Sequence, residues 1–299
     1  MRLILNGKRA GEPAVRDAVL KLREDGWSVE VRVTWEDGDA HRMALEALAS
    51  GVATIVAGGG DGTVNEVTNA LVGTEYASDV VFGVLPLGTA NDFAAAAGIP
   101  TDDPLAALRI VSEQTPTRID VGCVNDRHFL NVVSGGYGAE VTTVTNPALK
   151  QALGGFAYFL TGLSHVNTIV PRPARITGPG FSWEGSLLAI AVCNGRQAGG
   201  GFRVGPRAVL NDGRLDLMIL PDLPFSELLN VLHDIRTAED DTDPQAIVYR
   251  QLPEVSIEAP DGLQVNLDGE PIYGTHFDFT VLTSHLRVAL PQDSPLVMT

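Results

Sequence analysis

The stretch "IVAGGGDGTVNEVTNAL", residues 55–71, decides how the chain is read. An apolar run leads into four glycines set around one carboxylate, Asp61. Val64, Val67 and Leu71 then recur at helical spacing, which gives strand, glycine-rich turn and helix, with the helix starting close to Thr63. A helix N-terminus offers free backbone N–H groups and a partial positive charge, both favourable to phosphate. Glycine lets that backbone turn sharply and approach a ligand with no side chain in the way. The Walker A pattern fails because no Gly-Lys-Ser/Thr follows, and G-x-G-x-x-G fails because Thr63 stands after Gly58 and Gly60. A turn with a capping aspartate would need fewer glycines. A carboxylate beside polyphosphate is tolerable when a divalent cation accompanies it, and magnesium is commonly held by one or two carboxylates plus phosphate oxygens. The loop therefore predicts a magnesium–nucleotide site, with glycine N–H groups on phosphate and Asp61 supporting the metal.

A second segment, "GVLPLGTANDFAAAAGIP" (residues 83–100), repeats the logic, with Gly88, Thr89, Asn91 and Asp92 after an apolar run. Alone, Asn91 and Asp92 could cap a helix. Beside the first loop they read as a second ligand loop, since open α/β sheets bind ligands at the ends of neighbouring strands. The runs "RLILN" (2–6), "SVEVRVTW" (28–35), "VATIVA" (52–57) and "VVFGVLP" (80–86) alternate with helical patterns at 13–24 and 40–50. Val29, Val31 and Val33 would share one face of the second strand. The expectation is an α/β nucleotide-binding domain built on a parallel sheet covered on both sides.

After about Arg118 the pattern changes. "RIDVGCVNDRHFLNVVS" (118–134) reads as two strands around the turn Asn125–Asp126. Further strand-like runs follow, broken by Gly, Pro or Asp, with "LLAIAVC" (187–193) as a buried strand. They predict a mostly antiparallel β-sandwich or barrel-like second domain. "PFSELLNVLHDIR" (224–236) reads as an amphipathic helix, "AEDDTDPQ" (238–245) as an exposed acidic loop, and "GGFAYFLTGL" (154–163) as a core helix or an acyl-chain cleft.

The 299 residues carry a formal net charge of −16, which argues against a general nucleic-acid binder and against whole-body attraction to an anionic membrane. Arg196, Arg203, Arg207 and Arg214 fall in one short span, either as solvated side chains or as an anion-facing patch. Two cysteines, Cys123 and Cys193, read as buried free thiols of a reducing compartment. No run reaches the roughly 18 apolar residues of a membrane span, and the apolar start is too short for a signal peptide. A cytoplasmic protein is expected. The six histidines form no zinc spacing and no G-x-S-x-G elbow occurs.

Gln264, Asn266, Asp268 and Glu270 alternate with Val265 and Leu267, so continued extended backbone would put all four polar groups on one face. Glu270 could accept a proton and Asp268 could help hold magnesium, although Asp-Gly is equally a hairpin turn. "VLNDGRLDL" (209–217) reads as a turn leading into a strand or as a hard-cation loop.

The segments "GGGDGTVNEV" (58–67) and "LPLGTANDFA" (85–94) resemble the diacylglycerol kinase catalytic-domain family, whose loop is shared with NAD kinases, sphingosine kinases and phosphofructokinases. "LILNGK" (3–8), "VRVTWEDGDA" (31–40), "CNGRQAGGG" (193–201), "LNDGRLDL" (210–217) and "NLDGEP" (266–271) extend the resemblance to bacterial lipid kinases over essentially the whole chain. The insert near residues 239–243 is longer than that family's pattern. The resemblance implies ATP-dependent phosphorylation of a lipid hydroxyl, with phosphatidylglycerol as acceptor, by an enzyme that visits the membrane surface transiently. It implies nucleotide contacts from Thr34, from Gly60, Asp61, Gly62, Thr63, Val64, Asn65 and Glu66, and from Thr89. It implies a structural Mg2+ or Ca2+ held by Asp212 and backbone oxygens of Val209 and Arg214, and Glu270 as proton acceptor. It also implies two domains, 1–120 and 121–285, with the tail 286–299 packing back on the first. A diacylglycerol or sphingoid-base kinase, an NAD kinase and a non-catalytic nucleotide-binding regulator remain the alternatives, and oligomeric state is left open.

Overall fold

The computed structural model describes residues 1–75, 77, 79–136, 171–224, 227, 246–268 and 270–298. The readings of 154–163, of 225–226 and 228–236, and of the acidic loop fall outside the described residues. The chain divides into two units. The first takes Met1–Val121, Leu210–Asp212 and Leu282–Thr299, and the second takes Gly122–Val209 and Gly213–Val281.

In the first unit, strands β1 (Arg2–Leu5), β2 (Glu30–Val33), β3 (Thr54–Gly59) and β4 (Val81–Pro86) alternate with helices α1 (Pro13–Glu24), α2 (Asp39–Ala49) and α3 (Asp61–Val72). Helices α4 (Asp92–Ala97) and α5 (Pro104–Glu113) follow. The strands pair in the order β2-β1-β3-β4, all parallel. A late segment of the chain joins them, because Arg287 and Val288 pair in parallel with Val81 and Phe82. Helices α1 and α5 pack on each other, as do α2 and α3. The apolar positions that fix α1, namely Val15, Val19 and Leu22, are all buried, as the 3.6-residue period requires. β2 departs from expectation. Val29 is buried but Val33 is 44% exposed. β2 pairs with β1 and stands at the edge of this set, so no neighbouring strand covers its end.

The second unit begins within β5 (Thr117–Val124), continues through β6 (Arg127–Phe129), β7 (Val132–Gly135), β8 (Arg172–Gly178) and β9 (Phe181–Cys193), and includes the short pair β10 (Gln197–Ala198) and β11 (Phe202–Arg203). Then come β12 (Leu215–Pro221), β13 (Val248–Leu252), β14 (Glu254–Leu267) and β15 (Glu270–Val288), the last of which runs on into the first unit. The ladders β13-β12-β9-β7-β14-β15 are antiparallel, and β8 pairs with both β9 and β14. Val124 opposes Arg127 across Asn125, whose φ is +51, so Asn125–Asp126 is the turn the sequence indicated. Period-two alternation sorts β9 and β12 between two apolar clusters. Ile190, Val192, Leu215, Leu217 and Ile219 enter one, while Ala189, Ala191, Cys193, Met218 and Leu220 enter the other. Both faces of these strands are thus buried, which explains the unbroken apolar run "LLAIAVC".

Both cysteines are free. Cys193 is buried as expected, whereas Cys123 is only partly covered because it sits one residue before the end of β5. The four arginines divide: Arg203 and Arg214 are exposed, while Arg196 and Arg207 are used internally. Arg196 Nε donates to the Ala208 carbonyl at 2.9 Å, and the Arg207 guanidinium lies 4.4 Å from the Tyr249 ring centre. Tyr249 in turn donates its hydroxyl to the buried Asp216 carboxylate. Burial and the Asp216 charge together drive the Tyr249 hydroxyl far above the usual tyrosine range.

Candidate functional site

Three of the four loop glycines have a steric reason. A Cβ on Gly58 would lie 2.9 Å from Leu3 Cδ1, and one on Gly59 would lie 2.7 Å from Thr63 Cβ. A Cβ on Gly60 would lie 3.1 Å from the Gly88 Cα. The two ligand loops therefore meet through bare backbone, Gly60 against Gly88. Gly62 is different, because a Cβ there would meet nothing within 4 Å. It faces open space at the first turn of α3, where N–H groups have no intrahelical partner. Helix α3 begins at Asp61, two residues before the expected Thr63, with Gly60 in extended backbone and no side-chain cap. A glycine N-cap leaves these donors open to a ligand.

Asn91 shapes the second loop. Its backbone is left-handed (φ +52), a conformation asparagine tolerates. Its side chain accepts from Gly88 N at 2.7 Å and donates to Gly88 O at 3.1 Å. It therefore ties the loop rather than capping α4. A Cβ on Gly88 would come within 2.5 Å of Gly60 Cα and 2.7 Å of Asn91 Oδ1. Gly88→Ala is thus expected to push the loops apart, destabilise the unit by about 1–3 kcal/mol and raise the KM for Mg-ATP. Thermal melting and ATP-dependence kinetics on the one variant check both effects.

Asp61 Oδ1 accepts from Phe93 N at 3.4 Å. Burial, and then the charge of neighbouring Asp92, push its carboxyl upward from the ordinary carboxylate value. A carboxylate whose proton affinity is raised by burial and by a neighbouring negative charge is in the environment in which a divalent cation is favoured. The residues present therefore fit the ion that the loop predicts.

A cavity of about 530 Å³ opens beside this loop, within the roughly 300–1,000 Å³ usual for small-molecule sites. Its wall includes Asn6, Gly7, Thr34, Trp35, Thr63 and Glu66. Thr34, Thr63 and Glu66 were expected nucleotide contacts. Val64 points into the core, and Asn65 lies on α3 receiving an amide hydrogen bond from Asn69. Thr89 is exposed on the second loop. Asn6, Gly7 and Trp35 were not singled out by sequence reading. The signal available was an apolar strand ending in Asn-Gly, in the manner of a loop that crosses the top of a sheet. Asn6 Nδ2 reaches Thr63 Oγ1 at 3.4 Å, and Gly7 N donates to Thr34 Oγ1 at 3.2 Å.

Asp39 fixes the neighbouring turn. Its Oδ2 accepts from Trp35 N at 2.7 Å and from Glu36 N at 3.2 Å, while Arg42 meets its Oδ1 at 2.6 Å. The Trp35 N–H first, then Arg42, hold its carboxyl down at about 2, below the ordinary 3.8. The sign follows: a depressed carboxyl adds stability that is complete above the unfolded value and is lost as pH falls through the folded one. The difference in melting temperature between the wild type and Asp39→Asn should be constant near neutrality and should shrink between about pH 4 and pH 2. A difference that widens on acidification would contradict this.

In the second unit, Asp268 and Glu270 do not continue one extended face. Leu267 pairs with Glu270 across Asp268, whose φ is +44, so the chain turns there and Glu270 begins the returning strand. The turn preference of Asp-Gly wins over the polar alternation, with Asp268 in the left-handed backbone that tight hairpins use. Gln264 and Asn266 alternate with buried Val265 and Leu267 as expected. The Asp268 carboxylate accepts backbone N–H groups from Leu130 (3.0 Å), Asn131 (3.4 Å) and Val132 (3.0 Å). The segment 130–132 is also locked to "CNG", since Asn194 N and Gly195 N donate to Asn131 O at 2.9 and 2.8 Å. Asp268 thereby positions the hairpin that carries Glu270.

Leu210–Asp212, from the cation-loop reading, lies in the first unit. Asn211 exchanges hydrogen bonds with Met298, Leu210 N donates to Leu296 O at 2.7 Å, and Gly213 turns the chain with φ +70. Asp212 is half-buried there. Among the described residues no cluster of three or more His, Cys, Asp or Glu side chains is placed to hold a metal.

A glycine-loop nucleotide domain followed by an antiparallel sandwich defines a class. Residues 1–124 match the diacylglycerol kinase catalytic domain, and residues 131–290 match the YegS C-terminal NAD kinase beta sandwich-like domain. The chain belongs to the diacylglycerol kinase catalytic-domain family, in its YegS-like group. A "Probable lipid kinase YegS-like" of Pseudomonas aeruginosa (strain UCBPP-PA14) is 48% identical over 99% of this chain and 95% of its own. One of the same name from Serratia proteamaculans (strain 568) is 45% identical over 99% and 95%. A crystal structure of a diacylglycerol kinase from Bacillus anthracis str. Sterne superposes with a TM-score of 0.76 at 24% identity, covering 98% of this chain and 97% of that one. It shares the fold.

Proposed function

We propose that this ATP-dependent lipid kinase transfers the γ-phosphate of ATP to a hydroxyl of phosphatidylglycerol at the membrane surface. The observation that supports it most is the cavity beside the uncapped N-terminus of α3, with Thr34, Thr63 and Glu66 in its wall. The headgroup rests on the family resemblance. The lipid oxygen attacks the γ-phosphorus, the bond to ADP breaks, and Glu270 takes the hydroxyl proton. Gly62 and the first-turn N–H groups of α3 would hold phosphate. Asp61 and Asp92 would support a divalent cation, whose chemistry is neutralisation of phosphate charge. Val209, Asp212 and Arg214 would hold a separate structural Mg2+ or Ca2+, a site defined by one carboxylate and two carbonyls. Among the described residues no helix is long and apolar enough to cross a membrane, so the lipid would be met at the bilayer surface.

Incubation with labelled Mg-ATP and a panel of phosphatidylglycerol, diacylglycerol, sphingosine and NAD, resolved by chromatography, tests the reading. Label on phosphatidylglycerol is expected. Label on diacylglycerol or sphingosine would move the headgroup, and label on NAD alone would overturn the lipid assignment.

A further inference from the structure

We infer that Trp35 is the platform on which the purine base of the nucleotide stacks. The inference rests on the ATP reading above and deepens it. Trp35 is 93% exposed, whereas the other exposed large apolar side chains among the described residues lie between 38% and 71%. An indole left in water is an uncompensated apolar surface, and this one forms part of the cavity wall. The backbone that carries it is tied down: the Trp35 main-chain N–H donates to Asp39 Oδ2 at 2.7 Å, and Asp39 is clamped by Arg42. On its N-terminal side, Thr34 N donates to Leu5 O at 2.9 Å, and the Thr34 hydroxyl takes the Gly7 N–H. A fixed main chain lowers the ordering that remains when a ring settles on the side chain it carries.

Charge sets the direction of the ligand. Glu36 and Asp37 line the cavity beside the indole, so this end repels phosphate and can accept hydrogen bonds from ring amino groups. Thr63, in the first turn of α3, also lines the cavity, as do Lys8 and Glu66, whose opposite charges offset one another. The polyphosphate belongs with the helix N-terminus, and the planar base is left to Trp35. The same two carboxylates disfavour seating this indole in an anionic bilayer.

Calorimetric titration of Mg-ATP and of Mg-tripolyphosphate into the wild type, Trp35→Ala and Trp35→Phe decides the matter. Removing an aromatic stacking partner should weaken Mg-ATP roughly tenfold to a hundredfold. Tripolyphosphate, which has no base, should bind the alanine variant as it binds the wild type, and phenylalanine should restore most of the ATP affinity. Equal ATP affinity in Trp35→Ala and wild type would overturn the assignment. So would parallel losses for both ligands, which would mark a structural role. Loss of binding to phosphatidylglycerol vesicles with ATP affinity intact would assign the indole to the membrane instead. A wild-type protein that binds no Mg-ATP would remove the nucleotide reading itself, and this inference with it.

Discussion

Glu270→Gln lowers the turnover of lipid phosphorylation by roughly 10²–10⁴-fold, the usual contribution of a positioned general base, and leaves the Kd for Mg-ATP unchanged. Glutamine preserves size and the closing backbone pair with Leu267, but its amide cannot take the proton of the attacking hydroxyl. The loss therefore falls on kcat rather than on nucleotide affinity, which steady-state kinetics and calorimetry on the same preparation separate. A decrease smaller than tenfold would mean that the proton leaves by another route, and Glu270 would lose its assigned role.

Asp268→Ala is expected to damage both stability and activity. The substitution leaves the N–H groups of Leu130, Asn131 and Val132 without their carboxylate. Each buried orphan costs about 1–3 kcal/mol, so a total near 3 kcal/mol is expected once partial solvation of the turn is allowed for. Alanine also disfavours the left-handed backbone at this position. Asp268→Asn keeps an acceptor and tolerates that backbone, so its loss should be smaller. Denaturant unfolding of the two variants gives the ranking. An alanine variant as stable as the wild type, with weakened metal dependence of turnover, would return Asp268 to the role of metal ligand.

How much of this was legible beforehand follows from which residues have local reasons. Glycine and Asp-Gly act through their own backbone, so the strand–turn–helix at 55–71 and the turn at Asn125–Asp126 could be read directly. Apolar periodicity exposed the parallel sheet and the two-sided burial of "LLAIAVC". Alternation misled at Asp268, where two readings shared the same residues and the dipeptide's turn preference prevailed. It misled at Val33 as well, because burial of a strand end depends on which neighbours pair with it. The helix start was misplaced because Gly60, with no side chain to mark a cap, hides the boundary. Trp35 and Asp39 were opaque for a different reason. An indole's exposure and a carboxylate's reach to two N–H groups are set by the three-dimensional turn and leave no periodic trace. The roles of Val209, Asp212 and Arg214 rest on resemblance, since one carboxylate and two carbonyls make no distinctive pattern.

The most direct test of the whole account is a phosphorus NMR time course with Mg-ATP and phosphatidylglycerol vesicles, run for the wild type and for Glu270→Gln. The account predicts that the γ-phosphate signal of ATP declines as a lipid phosphomonoester signal grows in equal amount, and that both changes are nearly absent in the variant. Intact ATP in the presence of phosphatidylglycerol, or ATP lost to free phosphate with the lipid unchanged, would contradict it.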